Sequence, residues 1–408
     1  MRLKWAPKKV AISKPVLVVF GIVMSLLVTA GLLAANSVAP ALVRLEHFAA
    51  DGRTALLADR TDRQHPEIVI VTVDEEVLSR FAGHHYRSPT DRGVLARLVT
   101  VIARANPRVI GIDYIFDRPT EAAKDKLLAD TMRLAGARVV LGAADLRAGL
   151  TPAQRAWQNE FIASTGREAG HLSLTYDRDD IVRYVSRPAS SGPYRLGFAE
   201  LLARDVAPPP ERAKFPSVQP IGPDDYRNHR IAWLKVEGQP AENTFRTVPA
   251  SALLDAETRT DKTLATALGS LLRNRVVLIG GDFADLDRHL TPLTAIGAPK
   301  LPGVQLHAHM VAQIIDRRSI THTPPWTDPM ILLGLTLMGF MIGAYWDVEK
   351  FVYGAGVTVL IAADIAVFLT FRTIMPFTLP LFGWLAGAWF GRNAGFFLRS
   401  RTAAREDP

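Results

Sequence analysis

The stretch Arg275–Pro292, RVVLIGGDFADLDRHLTP, runs from an apolar segment into a dense set of polar groups. Asp282, Asp285, Asp287, Arg288 and His289 supply carboxylate acceptors, a guanidinium fork and an imidazole that titrates near neutrality. Metal binding is one chemistry open to them, with His307 and His309 as further donors. Two positions apart on a helix, those histidines diverge by about 200° and cannot both reach one ion. The aspartate spacing also lacks the glycine and late glutamate of a calcium loop. Hydrolysis is a second chemistry, but an aspartyl nucleophile belongs at the strand end, and Asp285 lies five residues past Gly280. The sequence has no Gly-x-Ser-x-Gly elbow, Gly-rich phosphate loop or His-Glu-x-x-His. The expectation is therefore a non-enzyme with no catalytic residue, metal or cofactor. Bracing and recognition remain: Arg288 between Asp285 and Asp287 can form a bidentate ion pair that pins the loop, and the same loop can line a pocket.

A second polar stretch, HHYRSPTDR, covers His84–Arg92. Ser88 or Thr90 can cap the helix that follows, which leaves Tyr86 and Arg87 to contact an acidic or aromatic ligand.

Both stretches need a scaffold, and the surrounding sequence supplies alternating strands and helices. Ile68–Val73 (IVIVTV) precedes a helix over about 91–106, Arg108–Ile112 one over about 121–134, and Arg138–Gly142 one near 152–164. Such alternation, with strands apolar on both faces, predicts an α/β domain whose mainly parallel sheet is covered by helices. Pro208–Pro210 and Phe215–Asp225 read as loop, His229–Leu234 and Glu242–Val248 as shorter strands, and Leu264–Leu272 as helix. Arg275–Gly280 is the last strand, and a helix follows over about 304–316.

The strands end in carboxylates. Ile68–Val73 runs into Asp74, Val109–Ile112 into Asp113, Val139–Gly142 reaches Asp145 and Val276–Gly280 reaches Asp282. In a parallel sheet all four ends share one edge, where open α/β sheets bind ligands. The candidate ligand-binding residues are thus Asp74, Arg87, Asp113, Asp282, Asp285, Asp287, Arg288 and His289. Taken singly, an aspartate after a strand can equally be a turn or helix cap.

The chain has 408 residues, 48% of them apolar, and a mean hydropathy of +0.11. The excess is concentrated. Residues 15–35 contain no charge, and 329–346, 351–371 and 374–391 are also apolar runs. Twenty-one helical residues rise about 31 Å, enough to cross a bilayer core of about 30 Å. Four transmembrane helices are expected, the first an uncleaved anchor because its apolar run exceeds that of a signal peptide.

Net charge is +8, and its placement orients the chain. Arg2, Lys4, Lys8, Lys9 and Lys14 crowd residues 1–14, and four arginines face two acids over 392–408. Residues 36–328 carry 37 Lys and Arg against 35 Asp and Glu, which leaves no basic face for nucleic acid. The positive-inside rule puts both tails in the cytoplasm and 36–328 in the periplasm, with the spans in a bacterial inner membrane. With no cysteine, the outer domain must rely on its own core.

Within the spans, Gly383, Gly387, Gly391 and Gly395 recur every four residues and allow close helix approach, and Gly339 with Gly343 offers a shorter version. Asp364 is an ionisable residue inside a span, and Thr29 and Thr336 fall near the same depth, so a buried polar layer across three helices is expected.

VIVTVDEEVL, ANPRVIGIDYIFDRPT, VVLIGGDFADLDRHLTP and LPGVQLHAHMVAQIIDRRSI, followed by a multi-span tail, resemble the type-two CHASE domain family. These are cyclase- and histidine-kinase-associated sensory extracellular domains of bacterial receptors, and the similarity covers roughly residues 40–400. The resemblance implies one N-terminal span, an α/β extracytoplasmic sensor and about three C-terminal spans. Family members commonly continue into a cytoplasmic output module, whereas this sequence stops at Pro408. The sequence GHHYRSPTDR also replaces a block that is often rich in tryptophan and proline in the family. The reading is a sensor that binds a small ligand or envelope partner and signals through its spans, the glycine stripe being the surface offered for output. Its partners would be the lipid bilayer, a separate membrane or cytoplasmic effector, and a further copy of the chain. The alternative is a structural membrane-anchored subunit or assembly factor of an envelope complex.

Overall fold

A computed structural model describes residues 14–83, 87–186, 188–204, 206, 229–258, 262–345 and 350–406. The chain divides into two compact units, Thr54–Ile320 and a second made of Met1–Arg53 with Thr321–Pro408. The α/β unit is thus narrower than the 36–328 expected. His84, His85 and Tyr86, and the loop read over 208–225, lie outside the described residues.

Six strands form the main sheet of the α/β unit: β1 (Ile68–Val73), β2 (Val109–Asp113), β3 (Arg138–Ala143), β4 (Glu168–His171), β5 (Arg246–Pro249) and β6 (Val276–Gly281). Their order is β4-β3-β2-β6-β1-β5, and every neighbouring pair is parallel. Side-chain alternation explains why both faces need cover. Val69, Val71 and Val73 enter one core with Leu95, Leu98 and Leu128, contributed by the helices Arg92–Arg104 and Ala122–Leu134. Ile68 and Ile70 enter a second core with Phe198, Leu202, Val304 and Val311, from the helices Phe198–Ala203 and Gly303–Ile315. Each such aliphatic side chain contributes about 1.5–3 kcal/mol when fully buried. The expected strand over 229–234 shifts: Leu234–Val236 pairs instead with Asp59–Thr61, away from the main sheet.

The order contains a switch. β1 and β2 are successive in the chain, yet β6 returns from far along the sequence to lie between them. Crossovers leaving toward opposite sides open a crevice outside the strand ends at such a point.

The second unit contains the helices Lys14–Val38, Pro40–Leu56 (as far as Arg53), Thr327–Tyr345, Lys350–Phe371 and Thr378–Glu406. Among the described residues two helices are long and apolar enough to cross a membrane, Pro15–Val38 and Thr327–Tyr345, and Gly356–Phe371 is a shorter apolar run. The glycine stripe packs within the chain. A Cβ on Gly387 would lie 2.1 Å from the Thr336 carbonyl oxygen, and one on Gly391 2.0 Å from that of Phe340. From the other side, Cβ atoms on Gly339 and Gly343 would meet the carbonyl oxygens of Trp384 and Ala388 at 2.4 and 2.2 Å. The expectation that this stripe is offered to a separate partner is therefore corrected: over Gly383, Gly387 and Gly391 its face is taken by Thr327–Tyr345 of the same chain. Gly395 lies one turn beyond and is buried.

The expected polar layer is also corrected. Thr336 donates to its own helix at the Leu332 carbonyl (2.7 Å), and the buried Thr29 hydroxyl has no hydrogen-bond partner among the described residues. Asp364 instead accepts from Arg53 Nη1, which also donates to the Met375 carbonyl at 3.1 Å. Arg53 Nη2 lies 3.6 Å from Glu46 Oε1, and Glu46 accepts from the amides of Phe377 and Thr378 at the start of the last helix. A charged ladder takes the place of hydroxyls.

Candidate functional site

A cleft of about 400 Å3 lies at the carboxyl ends of β2 and β6, a volume within the range of small-molecule sites. Asp113 and Tyr114 line it from β2, and Gly281 and Phe283 from β6. The loop after β6 is folded back by local bonds. Arg288 Nη2 donates to Asp282 Oδ1 at 2.6 Å and its Nε to the Phe283 carbonyl at 2.8 Å, while Arg288–His289 pairs antiparallel with Leu301–Pro302. The brace is real, but its carboxylate is Asp282, not the Asp285 and Asp287 that precede Arg288 more closely in sequence. Asp287 adopts φ 56°, a left-handed conformation that a short polar side chain tolerates. That turn brings its carboxylate over the start of the helix Gly303–Ile315, where a Cβ on Gly303 would lie 2.5 Å from Asp287 Oδ2. A Cβ there would have to displace the Asp287 carboxylate.

The predicted residues separate into distinct roles. Asp74 caps the short helix after β1, accepting from the Val77 amide at 2.9 Å, and is absent from the cleft lining. Asp145 is buried against Arg147 and Ser173. Asp285 is 72% exposed and pairs with Arg87, which also reaches Glu75 at 2.7 Å and lies over the Phe283 ring. Asp113, Asp287, His289 and Arg87 line the cleft together.

Around the cleft, every lining arginine has a carboxylate. Arg87 pairs with Glu75 and Asp285, Arg92 with Asp125, and Arg118 with Asp117 at 2.8 Å. Asp287 Oδ1 meets only an imidazole, His289 Nε2 at 2.8 Å, and His289 Nδ1 meets the Tyr176 hydroxyl at 2.9 Å. Asp113 has no hydrogen bond among the described residues, and its side chain is 92% buried by an exposure of 8%. His307 Nε2 stands 3.8 Å from its Oδ1, beyond hydrogen-bond reach. Burial, then the Asp287 carboxylate, pushes the Asp113 carboxyl well above its usual range. Burial likewise lowers His307 to about 4, so its imidazole is neutral at physiological pH. Its Nδ1 is buried without a hydrogen-bond partner among the described residues.

Tyr176 and Phe283 also line the cleft without having been singled out from sequence, and His307, considered there only as a metal donor, lines it as well. His307 had a signal, its place in the first turns of an apolar helix, but only the packing of that helix on β6 brings it to Asp113. Its neighbour in pattern, His309, lies elsewhere, fully buried edge-on between Trp233 and Phe245. Tyr176 has no local signal.

Comparison with known proteins adds a family and nothing finer. A family model described as CHASE2 domain matches residues 22–344. No curated protein and no solved structure matches the chain.

Proposed function

The chain belongs to the CHASE2 domain family, and from that premise we propose that it is a membrane-anchored sensor whose α/β unit binds a small ligand outside the cytoplasm. The observation that carries the ligand reading is the cleft at the switch point between β1, β6 and β2, with Asp113 and His307 held 3.8 Å apart and His307 Nδ1 buried without a hydrogen-bond partner among the described residues. Polar atoms this deeply buried normally find a partner, and leaving one without costs about 1–3 kcal/mol. A sensor that gains those bonds only when its ligand arrives has a built-in difference between two states.

The membrane arrangement belongs to the same proposal. Four helices, those containing residues 15–35, 329–346, 351–371 and 374–391, would cross the bacterial inner membrane with both tails in the cytoplasm, in line with the lysines and arginines of those tails. The ligand-dependent state would be read by a separate membrane or cytoplasmic protein. Since the glycine stripe is used within the chain, that protein would engage another surface.

Two measurements test this. Reporter fusions near residue 200 and at residue 408 should report periplasm and cytoplasm respectively; a periplasmic C-terminus defeats the layout. The full chain purified in mild detergent should co-purify with, or be thermally stabilised by, a small molecule, and Asp113→Asn should lose that effect. Stabilisation that Asp113→Asn leaves intact would move the ligand out of this cleft.

A further inference from the structure

The cleft also carries information about the class of ligand, an inference that rests on the reading above. Its arginines are each committed to a carboxylate of the protein, so their charge is already met. Asp113 and Asp287 have no arginine or lysine partner among the described residues and meet only imidazoles, at His307 and His289. An anion entering here would face two carboxyl groups with no free guanidinium to balance them. A cation would face the reverse.

A cluster of acids alone says little, but His307 is an independent sign. Its side chain is 97% buried by an exposure of 3%, it lines the cleft, and its ring stands off Asp113 by 3.8 Å. A neutral imidazole offers one donor and one acceptor. A ligand N–H group can therefore be shared between the carboxylate and the ring. A single metal ion fits less well, because these side chains do not gather three ligand atoms tightly enough to share one. One part of the lining is apolar or aromatic, with Leu172, Leu174, Phe283 and Tyr176, and suits a short hydrocarbon chain.

We propose that the cleft recognises a small organic amine, its ammonium group seated against Asp113 and Asp287 and sharing an N–H with His307, its carbon chain along Leu172 and Leu174. The ammonium would favour the ionised form of Asp113 and offset the mutual repulsion of the two carboxylates. Arg87, fixed by Glu75 and Asp285, closes one side of the cleft without competing for the ligand.

The test uses three four-carbon probes of matched length: 1,4-diaminobutane, 1,4-butanediol and succinate. Each is titrated by calorimetry at millimolar concentration into the full chain in lipid nanodiscs. Saturable binding of the diamine is expected, with no binding of the diol or the diacid. Asp113→Asn and Asp287→Asn should each weaken it about tenfold or more, the loss of one charge-assisted contact. Asp74→Asn, which keeps the cap and lies outside the cleft, should leave it unchanged. Thermal melting of each variant identifies one that fails to fold, and the other then decides. Saturable succinate or diol binding without diamine binding overturns the amine assignment while leaving the cleft a ligand site. Diamine binding that survives both Asn variants also overturns it, since the charge would then be read elsewhere. No saturable binding of any probe overturns the amine assignment, and a co-purifying molecule lost in Asp113→Asn would still uphold the cleft as a site.

Discussion

Arg53 in the helical unit and Asp113 in the α/β unit are both deeply buried charged-type residues, and their surroundings differ in one respect. Arg53 meets Asp364, the Met375 carbonyl and Glu46, and Glu46 in turn meets two backbone amides. The Asp113 carboxyl has a histidine at 3.8 Å and no side-chain hydrogen bond among the described residues. In the first cluster, opposite charges within the chain answer one another, although Arg53 Nε and Nη2 make no hydrogen bond among the described residues. In the second no opposite charge lies beside the carboxyl among the described residues, and burial, then the Asp287 carboxylate, pushes it well above its usual range. The contrast separates bracing from recognition: a charge met by opposite charges of its own chain holds helices together, and a carboxyl beside a cleft that meets none among the described residues is available to a ligand.

The sharpest way to break this comparison is to remove one half of the closed cluster. Arg53→Met strands Asp364 and Glu46 and should cost about 3–5 kcal/mol, the usual penalty for one partner of a buried pair. The double variant Arg53→Met/Asp364→Leu should recover much of that. Melting temperatures of the full chain in detergent would show it, and a single variant as stable as the parent would mean the ladder holds nothing.

Helix packing supplies a second, smaller effect. Gly387→Leu must push apart two helices whose backbones touch, since even a Cβ would lie 2.1 Å from the Thr336 carbonyl oxygen. The expected loss is about 1–3 kcal/mol, as for overpacking of a tight core. Gly334→Ala, where nothing lies within 4 Å, should be neutral by the same melting assay. Equal behaviour of the two would place the stripe in contact with lipid.

An unsatisfied group without a cleft sharpens the comparison from the other side. Burial lowers His309 to about 3, with Arg318 and His65 acting in the same direction. Between its ordinary value of 6.5 and about 3 the unfolded chain binds a proton that the folded chain refuses, so stability falls as pH falls through that window. Relative to His309→Phe, the parent should lose up to about 1.4 kcal/mol per pH unit between about pH 6.5 and pH 5. Parallel melting curves for the two would show that folded His309 takes up the proton. No binding change is expected, because His309 is packed between aromatic rings rather than along the cleft.

The smallest effect tests the acids that belong to neither cluster. Asp74→Ala removes an N-cap and should cost about 1 kcal/mol, with Asp74→Asn near neutral and diamine binding unchanged in both. Loss of binding in Asp74→Asn would extend the cleft to β1.

Much of the scaffold was legible because its signals are local. β1, β2, β3 and β6 are apolar on both faces, and each is followed by an acid within a few residues, so their number, their burial and the acidic edge follow from reading along the chain. Asp113, Asp287 and His289 were found by that route. Arg288 was assigned the wrong carboxylate because neighbours in sequence were the only partners in view, while a left-handed turn at Asp287 directs that carboxylate away. Asp74 enters the candidate set because an edge residue and a cleft residue look alike until the strand order is known.

What the sequence by itself determined is the family, the parallel α/β scaffold, the apolar helices and the presence of acids at the strand ends. These depend on side-chain periodicity and on what immediately follows each strand, and both survive without knowing any long-range contact. Only the tertiary structure decided that β6 lies between β1 and β2, that His307 comes to stand opposite Asp113, that Arg53 answers Asp364 across 311 residues, and that the glycine stripe closes on the chain's own helix. Each is a choice among partners far apart in sequence, made by which arrangement buries both sheet faces and leaves the fewest charges unmet. No local pattern encodes that comparison, because its cost and gain exist only once the elements are packed together.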